Sequence, residues 1–487
     1  MKLGELFAKE WTNVAVPPGV GGLEITGLTA DSRKVKPGFL FAAFQGVAAH
    51  GRDFVAQAVA NGAAAVLSEN DLGVEPGVPH LIAENARAEF SYAAGRFFPR
   101  KPAVRVAVTG TNGKSSTVDF LRQIWAASGK KSASMGTLGA IWSDGKIDLG
   151  HTTADPVAVH ETLQQLADAG VTHVAMEASS HGLHQHRLDA VGFQGGAFLN
   201  LTQDHLDYHA TMDEYRAAKM LLWNLMDHRA PAVINADSPE GAEFARVAGQ
   251  RAHVVYYTGW RAPRTLSLKL VEISPRQASQ DLTLWWQGDE YEVEVPLIGE
   301  FQAINATTAA TLALALGETK EDVFRGMSML KPVKGRMEHV GETPTDGHVF
   351  VDYAHTPDGL DVLLRAARPH APGRIIVVFG CGGDRDSGKR AKMGAIAQRF
   401  ADVVIVTDDN PRGEDPAMIR KQVLEGCPGA EEIGDRAAAI QSAVKRATRG
   451  DAVLIAGKGH ETGQIIKGVT HPFSDQDVAR AALEALT

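Results

Sequence analysis

Disulfides, membrane spans and an excess of basic charge are all missing from this sequence. Only two cysteines, Cys381 and Cys427, occur in 487 residues. No disulfide framework is required, and a reducing compartment fits. No apolar run approaches bilayer-spanning length. The opening MKLGELFAKEW reads as the start of an amphipathic helix without a signal h-region, so a cytoplasmic protein is expected. Acidic residues outnumber basic ones, 58 to 49, for a net charge of −9. That balance argues against a general nucleic-acid binder but allows anionic ligands at local Lys and Arg clusters. The dinucleotide fingerprint G-x-G-x-x-G is absent, so NAD is not expected. What remains is an ordinary globular composition with fifty glycines. It suits an α/β chain with many strand-to-helix turns, long enough for about three domains.

The stretch VRVAVTGTNGKSST, residues 104–117, organises the rest. Alternating Val104, Val106 and Val108 predict a strand. Gly110-Thr111-Asn112-Gly113 is a tight loop, and Lys114-Ser115-Ser116 opens a helix. Backbone N–H groups and a helix N-terminus cradle polyphosphate, Lys114 neutralises its oxygens, and a hydroxyl reaches Mg²⁺. The first glycine of the usual P-loop is replaced by Val108, so a plain Gly-rich turn is the competing reading.

Residues 1–102 alternate strand and helix signals: strands at 23–25, 39–44 and 64–67, and a helix at 55–60. The loop 29–38 carries Asp31, Ser32, Arg33 and Lys34. It suits a phosphorylated ligand or, more simply, an Asx/ST turn. In the middle part, helices are expected at 117–127, 157–169 and 215–223. A strand over 173–176 delivers Glu177 to its carboxyl end, where ligands bind in open α/β sheets. Glu177 is either a Mg²⁺ ligand or a structural acid. Strand 197–199 leads to a polar segment holding His205, a second candidate ligand. His181, His184 and His186 lie close together without a zinc-type spacing; hydrogen bonding to substrate, with Arg187 on an anionic group, is preferred. Lys219, read by itself, is an exposed lysine. Residues 253–297 alternate as a β-meander with a hairpin at 287–290, followed by a helix over 306–316. Asn305 in the first turn of that helix is an N-cap or a base contact. Beyond 335, strands at 349–351, 375–379, 403–406 and 453–455 each end in a polar cluster, the pattern of a ligand site at one sheet edge.

Taken in order, the motifs DSRKVKPG, TGTNGKSS, HTTADP, MEASSHGLHQHR, DHLDYH, YRAAK, GRMEHV, DYAHTPD, GCGGDRDSGKR, DNPR and GKGHE resemble the Mur ligases, specifically the branch that adds meso-diaminopimelate. The resemblance implies an α/β fold of three domains. These are a UDP-substrate domain (1–102), a central P-loop-like ATPase sheet with an inserted β-meander (103–334), and a C-terminal Rossmann-like domain that binds the amino acid (335–487). It implies an ATP-dependent amide ligase that joins diaminopimelate to UDP-N-acetylmuramoyl-L-alanyl-D-glutamate through an acyl phosphate, for peptidoglycan synthesis.

The implied roles are as follows. Gly110, Thr111, Asn112, Gly113, Lys114, Ser115 and Ser116 hold the triphosphate, with Asn305, Arg336 and Asp352 completing the ATP site. Ser115, Glu177 and His205 serve Mg²⁺. Lys219 matches the family's carbamylated lysine, a CO₂-derived carboxylate able to bind a second Mg²⁺, which overturns its bland reading. Ser32 with Val47, Ala48 and Ala49 contacts the uridine part. Thr152, Thr153, Ser179, Gln185 and Arg187 hold the muramoyl-dipeptide. Arg385, Asp409, Asn410, Pro411, Arg412, Gly457 and Glu461 form the diaminopimelate pocket, with Arg412 facing the carboxylate that lysine lacks. The expected partners are these small molecules, with no nucleic acid and no membrane, and the chain is taken as a monomer. Three positions depart from the family pattern: His151 for Asn, Ala154 for a frequent proline, and Gln302 for Asn. Gln302 is therefore left out of the ATP site. The rivals are a sister ligase adding lysine or a D-alanyl dipeptide, and a nucleotide-gated binding protein without ligase activity.

Overall fold

The computed structural model describes residues 1–487 apart from 9–11, 13, 47–49, 73–76, 206–207 and 487. It divides into two compact units: Met1–Arg261 with Thr308–Val323, and Ala262–Thr307 with Phe324–Thr487.

The first unit holds two sheets. Strands Gly27–Thr29, Phe39–Ala42, Ala63–Ser68 and His80–Ile82 form a parallel sheet in chain order. Side chains alternate across it as a strand requires. Leu40 and Ala42 join the cluster of Leu3, Leu6 and Phe90, while Phe41 and Ala43 join Val55 and Ala58. The expected strand at 23–25 is not part of this sheet. Its backbone bonds to the first three residues instead, Leu3 N to Leu23 O and Ile25 N to Met1 O.

The second sheet runs Val254–Gly259, Pro231–Asn235, Gly195–Phe198, Val104–Thr109, His173–Glu177, Ser132–Gly136. These six strands are parallel. The antiparallel strands Gly139–Trp142 and Gly145–Ile147 extend it. The phosphate-loop strand is central, flanked on one side by the strand that ends at Glu177. Helix Lys114–Ala127 follows it directly.

In the second unit, strands Ser267–Pro275, Gln280–Trp286 and Asp289–Val295 form the antiparallel meander. Its turn is shorter than the four residues expected. Gln287 and Gly288 both take positive φ, 51° and 106°, as a two-residue primed turn requires. Helix Glu300–Ala315 begins earlier than expected, so Asn305 sits in its second turn and does not cap it.

A further sheet orders Glu338–Glu342, His348–Asp352, Ala452–Ala456, Ile375–Phe379, Val403–Val406 and Glu431–Glu432. All are parallel except the first. Phe350, Val377 and Leu454 face the helices Pro357–Ala367, Lys389–Phe400 and Pro416–Leu424. Val349, Ile376 and Val453 face Arg436–Arg446 and Asp475–Glu484. This doubly wound layering explains the unbroken apolar strands of the sequence. Among the described residues no helix is long and apolar enough to cross a membrane.

Candidate active site

The phosphate loop leaves its strand at Thr109 and turns into the helix through Gly113, whose φ of 88° is left-handed and suits glycine. Lys114 Nζ folds back over the loop and donates to the carbonyls of Gly110 and Thr111, at 2.9 and 2.8 Å. Asn200 latches the loop: its Oδ1 accepts from Asn112 N at 2.9 Å and its Nδ2 donates to Asn112 O at 3.1 Å. Thr111 Oγ1 meets Tyr215 O–H at 3.2 Å. Ser116 is buried in the helix start. Asn200 and Tyr215 were missed by sequence reasoning. Their only signal was a polar residue at a strand's carboxyl end and an aromatic four positions before Lys219.

Glu177 is buried, yet its Oε1 accepts from Ser115 Oγ and from Thr137 N, both at 2.8 Å. A hydroxyl and a carboxylate side by side at a phosphate loop are hard oxygen donors, the type Mg²⁺ selects. The residues therefore fit the ion. His205 holds a left-handed φ of 54° and lies 3.5 Å from Asp204, its ring 4.8 Å from that of His181.

Lys219 is not the exposed lysine of the bland reading. It is 1 % exposed, donates to Gly110 O at 2.8 Å, and lies 4.4 Å from the centre of the Tyr215 ring. Burial, reinforced by the charge of Lys114, pushes its amine well below the usual lysine range. Burial also pushes the Tyr215 phenol up to about 12.

The five dipeptide candidates form one network running back to Glu177. Thr152 Oγ1 meets Thr137 Oγ1 at 3.0 Å. Thr153 Oγ1 donates to Glu177 O at 3.1 Å and accepts from Ser179 Oγ at 2.9 Å. Arg187 donates to Thr153 O at 2.7 Å and to Gln185 Oε1 at 2.6 Å. Burial draws its guanidinium below the usual range. Gln185 Nε2 donates to Tyr208 Oη at 3.0 Å, another residue missed. His151 is exposed, and Ala154 is buried in the core cluster that also holds Leu183. At the edge of the smaller sheet, Asp31 caps the short turn Ser32–Lys34, the Asx geometry of the simpler reading. Ser32 Oγ donates to Gln57 Oε1 at 2.9 Å. Val47, Ala48 and Ala49 lie outside the described residues.

In the second unit, Asn305 Nδ2 donates to Gln302 Oε1 at 3.2 Å and Gln302 Nε2 donates to Arg336 O at 3.1 Å. Gln302, set aside by sequence, thus joins two ATP-site candidates. Asp352 accepts from Met337 N and Ala354 N. Burial raises its carboxyl and Arg336 opposes that. The Arg336 guanidinium lies over the Tyr353 ring at 4.7 Å.

The polar tips 409–412 and 457–461 converge. Lys458, fully buried and unassigned by sequence, donates to Asn410 Oδ1 at 2.8 Å and lies 3.5 Å from Asp409 and 3.6 Å from Glu461. Asn410 Nδ2 donates to Glu461 Oε2 at 3.1 Å. Gly457 takes a φ of 121°, where a Cβ would stand 3.0 Å from Asp409 Oδ2. Pro411 is buried. Arg412 donates to Gly383 O at 2.9 Å. Arg385 stands exposed.

A phosphate-type loop beside an acid–hydroxyl pair, followed by a doubly wound module with a charged carboxyl edge, defines the class as a nucleotide-binding α/β architecture with a second ligand edge. Three family models match in succession: "Mur ligase family, catalytic domain" at 24–103, "Mur ligase middle domain" at 108–313, and "Mur ligase, glutamate ligase domain" at 335–459. The chain belongs to the Mur ligase family. It is 49% identical over 470 residues to the UDP-N-acetylmuramoyl-L-alanyl-D-glutamate–2,6-diaminopimelate ligase of Caulobacter vibrioides, covering 95% of this chain and 96% of that one. Identity to the ligase of the same name from Brucella melitensis is 48%, over 100% and 99% of the two chains. A solved ligase of that name superposes with a TM-score of 0.76 at 32% identity, over 100% and 99%. The MurF ligase of Thermotoga maritima, solved with ADP, shares the fold: TM-score 0.60, 17% identity, 95% and 97% covered.

Proposed function

We propose that this protein is the ATP-dependent ligase that adds meso-2,6-diaminopimelate to UDP-N-acetylmuramoyl-L-alanyl-D-glutamate in peptidoglycan precursor synthesis, acting in the cytoplasm as a monomer. The observation that carries the proposal is 48–49% identity, over nearly the full length, to relatives of that name. In this reading residues 1–102 hold the uridine end, 103–334 the ATP and 335–487 the amino acid.

The chemistry is phosphoryl transfer followed by amide formation. The D-glutamate carboxylate attacks the γ-phosphorus of ATP and ADP leaves. The free amine of diaminopimelate then attacks the acyl phosphate, which expels inorganic phosphate and yields the amide. Such reactions need positioning and charge neutralisation more than covalent help. The loop 110–116 holds the triphosphate, and Lys114 swings from its own loop carbonyls to the β/γ oxygens. Asn305, Arg336 and Asp352 hold the nucleoside end. Ser115, Glu177 and His205 would hold Mg²⁺, which would supply charge neutralisation for phosphoryl transfer. Lys219 is assigned as a carbamate. Burial lowers the amine's affinity for a proton and so favours the neutral form that attacks CO₂, and Lys114 supplies a neighbouring positive charge for the carboxylate formed. Thr152, Thr153, Ser179, Gln185 and Arg187 orient the dipeptide, and Ser32 with 47–49 the uridine.

Amino-acid choice falls to Arg385, Asp409, Asn410, Pro411, Arg412, Gly457 and Glu461. Arg412 pairs with the distal carboxylate, while Asp409 and Glu461 take the distal ammonium. A charge-assisted bond of about 1.5–3 kcal/mol corresponds to a preference over lysine of roughly ten- to a hundredfold. The test is phosphate release from ATP with the UDP-dipeptide and a panel of amino acids. Release is expected only with both co-substrates and with diaminopimelate far above lysine. Release that needs neither, or that prefers lysine, refutes the assignment.

A further inference from the structure

Arg412 sits in a backbone conformation that its side chain disfavours. Its φ is 51°, in the left-handed region, where a Cβ crowds the following carbonyl. Such a conformation persists only where neighbours over-determine it. Both of its backbone polar groups are taken by one element, the hairpin 463–472. Arg412 N donates to Ile465 O at 3.0 Å, and Lys467 N donates to Arg412 O at 2.6 Å, making an isolated parallel bridge between Arg412 and Ile466. The same hairpin reaches two more residues of the segment. Gln464 Nε2 donates to Asp409 O at 2.7 Å, and Ile465 N donates to Asn410 Oδ1 at 3.0 Å.

The hairpin has little else to do. Its strands Gly463–Ile466 and Val469–Pro472 form their own two-stranded sheet, and Val469 is 56% exposed with residues 470–472 exposed beside it. A two-stranded hairpin with so little buried surface is marginal alone. Its order and that of segment 409–412 are therefore mutual.

We propose that the hairpin 463–472 is a specificity-determining clamp of the amino-acid site, with Gln464 as its positioning side chain. It holds residues 409–412 in the one conformation that aims Asp409 and Arg412 at the distal zwitterion of the incoming diamino acid. This rests on the reading of residues 409–412 as the diaminopimelate site.

The test uses the full-length enzyme with KM measured for ATP, the UDP-dipeptide and diaminopimelate, and kcat/KM compared between diaminopimelate and lysine. Gln464→Ala removes one donor to the Asp409 carbonyl. It is expected to raise the diaminopimelate KM about three- to tenfold and to narrow discrimination against lysine. The other two KM values should stay within about twofold. Gly468→Val breaks the hairpin turn, where φ is 79°, and is expected to do the same more strongly with an unchanged circular dichroism spectrum. The clamp is overturned by an unchanged diaminopimelate KM in both variants, by a parallel rise in all three KM values, or by unfolding of Gly468→Val. Arg412→Ala separates the two readings. Its loss of diaminopimelate use beside unaffected hairpin variants refutes the clamp alone. Failure of the unmodified enzyme to use diaminopimelate refutes the functional assignment.

Discussion

Adding one methyl group at Gly136 should raise the Mg²⁺ requirement of this enzyme by crowding Glu177, without replacing any of the residues assigned to the site. Gly136 ends the strand beside Glu177, and a Cβ there would stand 2.1 Å from Glu177 Oε1 and 2.5 Å from its Cδ and Cγ. Those separations lie inside van der Waals contact, so one partner must move. If the strand yields, overpacking costs about 1–3 kcal/mol. If the carboxylate swings away, it leaves Ser115 Oγ and Thr137 N, and each bond to a charged acceptor is worth about 1.5–3 kcal/mol. Loss of the Ser115 contact alone corresponds to roughly ten- to a hundredfold, and it separates the two oxygens assigned to Mg²⁺. The assay is phosphate release against Mg²⁺ concentration for Gly136→Ala, beside its thermal unfolding. The apparent Mg²⁺ requirement should rise by that factor, with the diaminopimelate KM unchanged. A normal Mg²⁺ titration in a variant that melts like the parent would refute the reasoning.

Lys219→Ala should lose about 10²–10³-fold in turnover, and excess bicarbonate should not restore it. Mass analysis of the unmodified protein under native conditions should find one CO₂ on this residue; an uncarboxylated amine in fully active enzyme would remove the carbamate from the mechanism. A separate expectation concerns acid stability. Burial, aided by the charge of Lys101 and opposed by the Asp189 carbonyl, holds the His160 imidazole at about 3, against 6.5 for the free side chain. The unfolded chain therefore takes up a proton that the fold refuses. The stabilising effect is complete above pH 6.5 and is lost as pH falls toward 3. Denaturant titrations between pH 7.5 and 5 should show a shallower decline for His160→Gln than for the parent. An equal slope in both would exclude His160 as the cause.

Where a local pattern governs, the chain was readable. The alternation of Val104, Val106 and Val108, the glycines and the lysine specify strand, loop and helix within fourteen residues, and the structure forms them there. Helix Val55–Ala60 and strands Ile375–Phe379 and Val403–Val406 fall where periodicity puts them. Misreadings arose where a distant partner competes. Residues 23–25 are apolar enough for a strand, but the N-terminal segment captures their backbone bonds. Lys219 looks solvated on its own helix, because helical periodicity says nothing about the phosphate loop that covers it. Gln302 was set aside because it departs from the family pattern, and Lys458 drew no assignment. Their significance lies in which groups their ends reach, Arg336 and Asn305 for one, Asp409, Asn410 and Glu461 for the other.

The order of residues alone determined the class of fold, the nucleotide loop and the Mur-type motif series, because each depends on neighbours within a turn or a strand. Only the folded arrangement decided the burial of Lys219 and the lowering of its amine, the pairing of Ser115 with Glu177 and the left-handed backbone of Arg412. Those properties come from desolvation and from contacts between segments dozens of residues apart, and no local pattern encodes the dielectric or the partner that a side chain will meet.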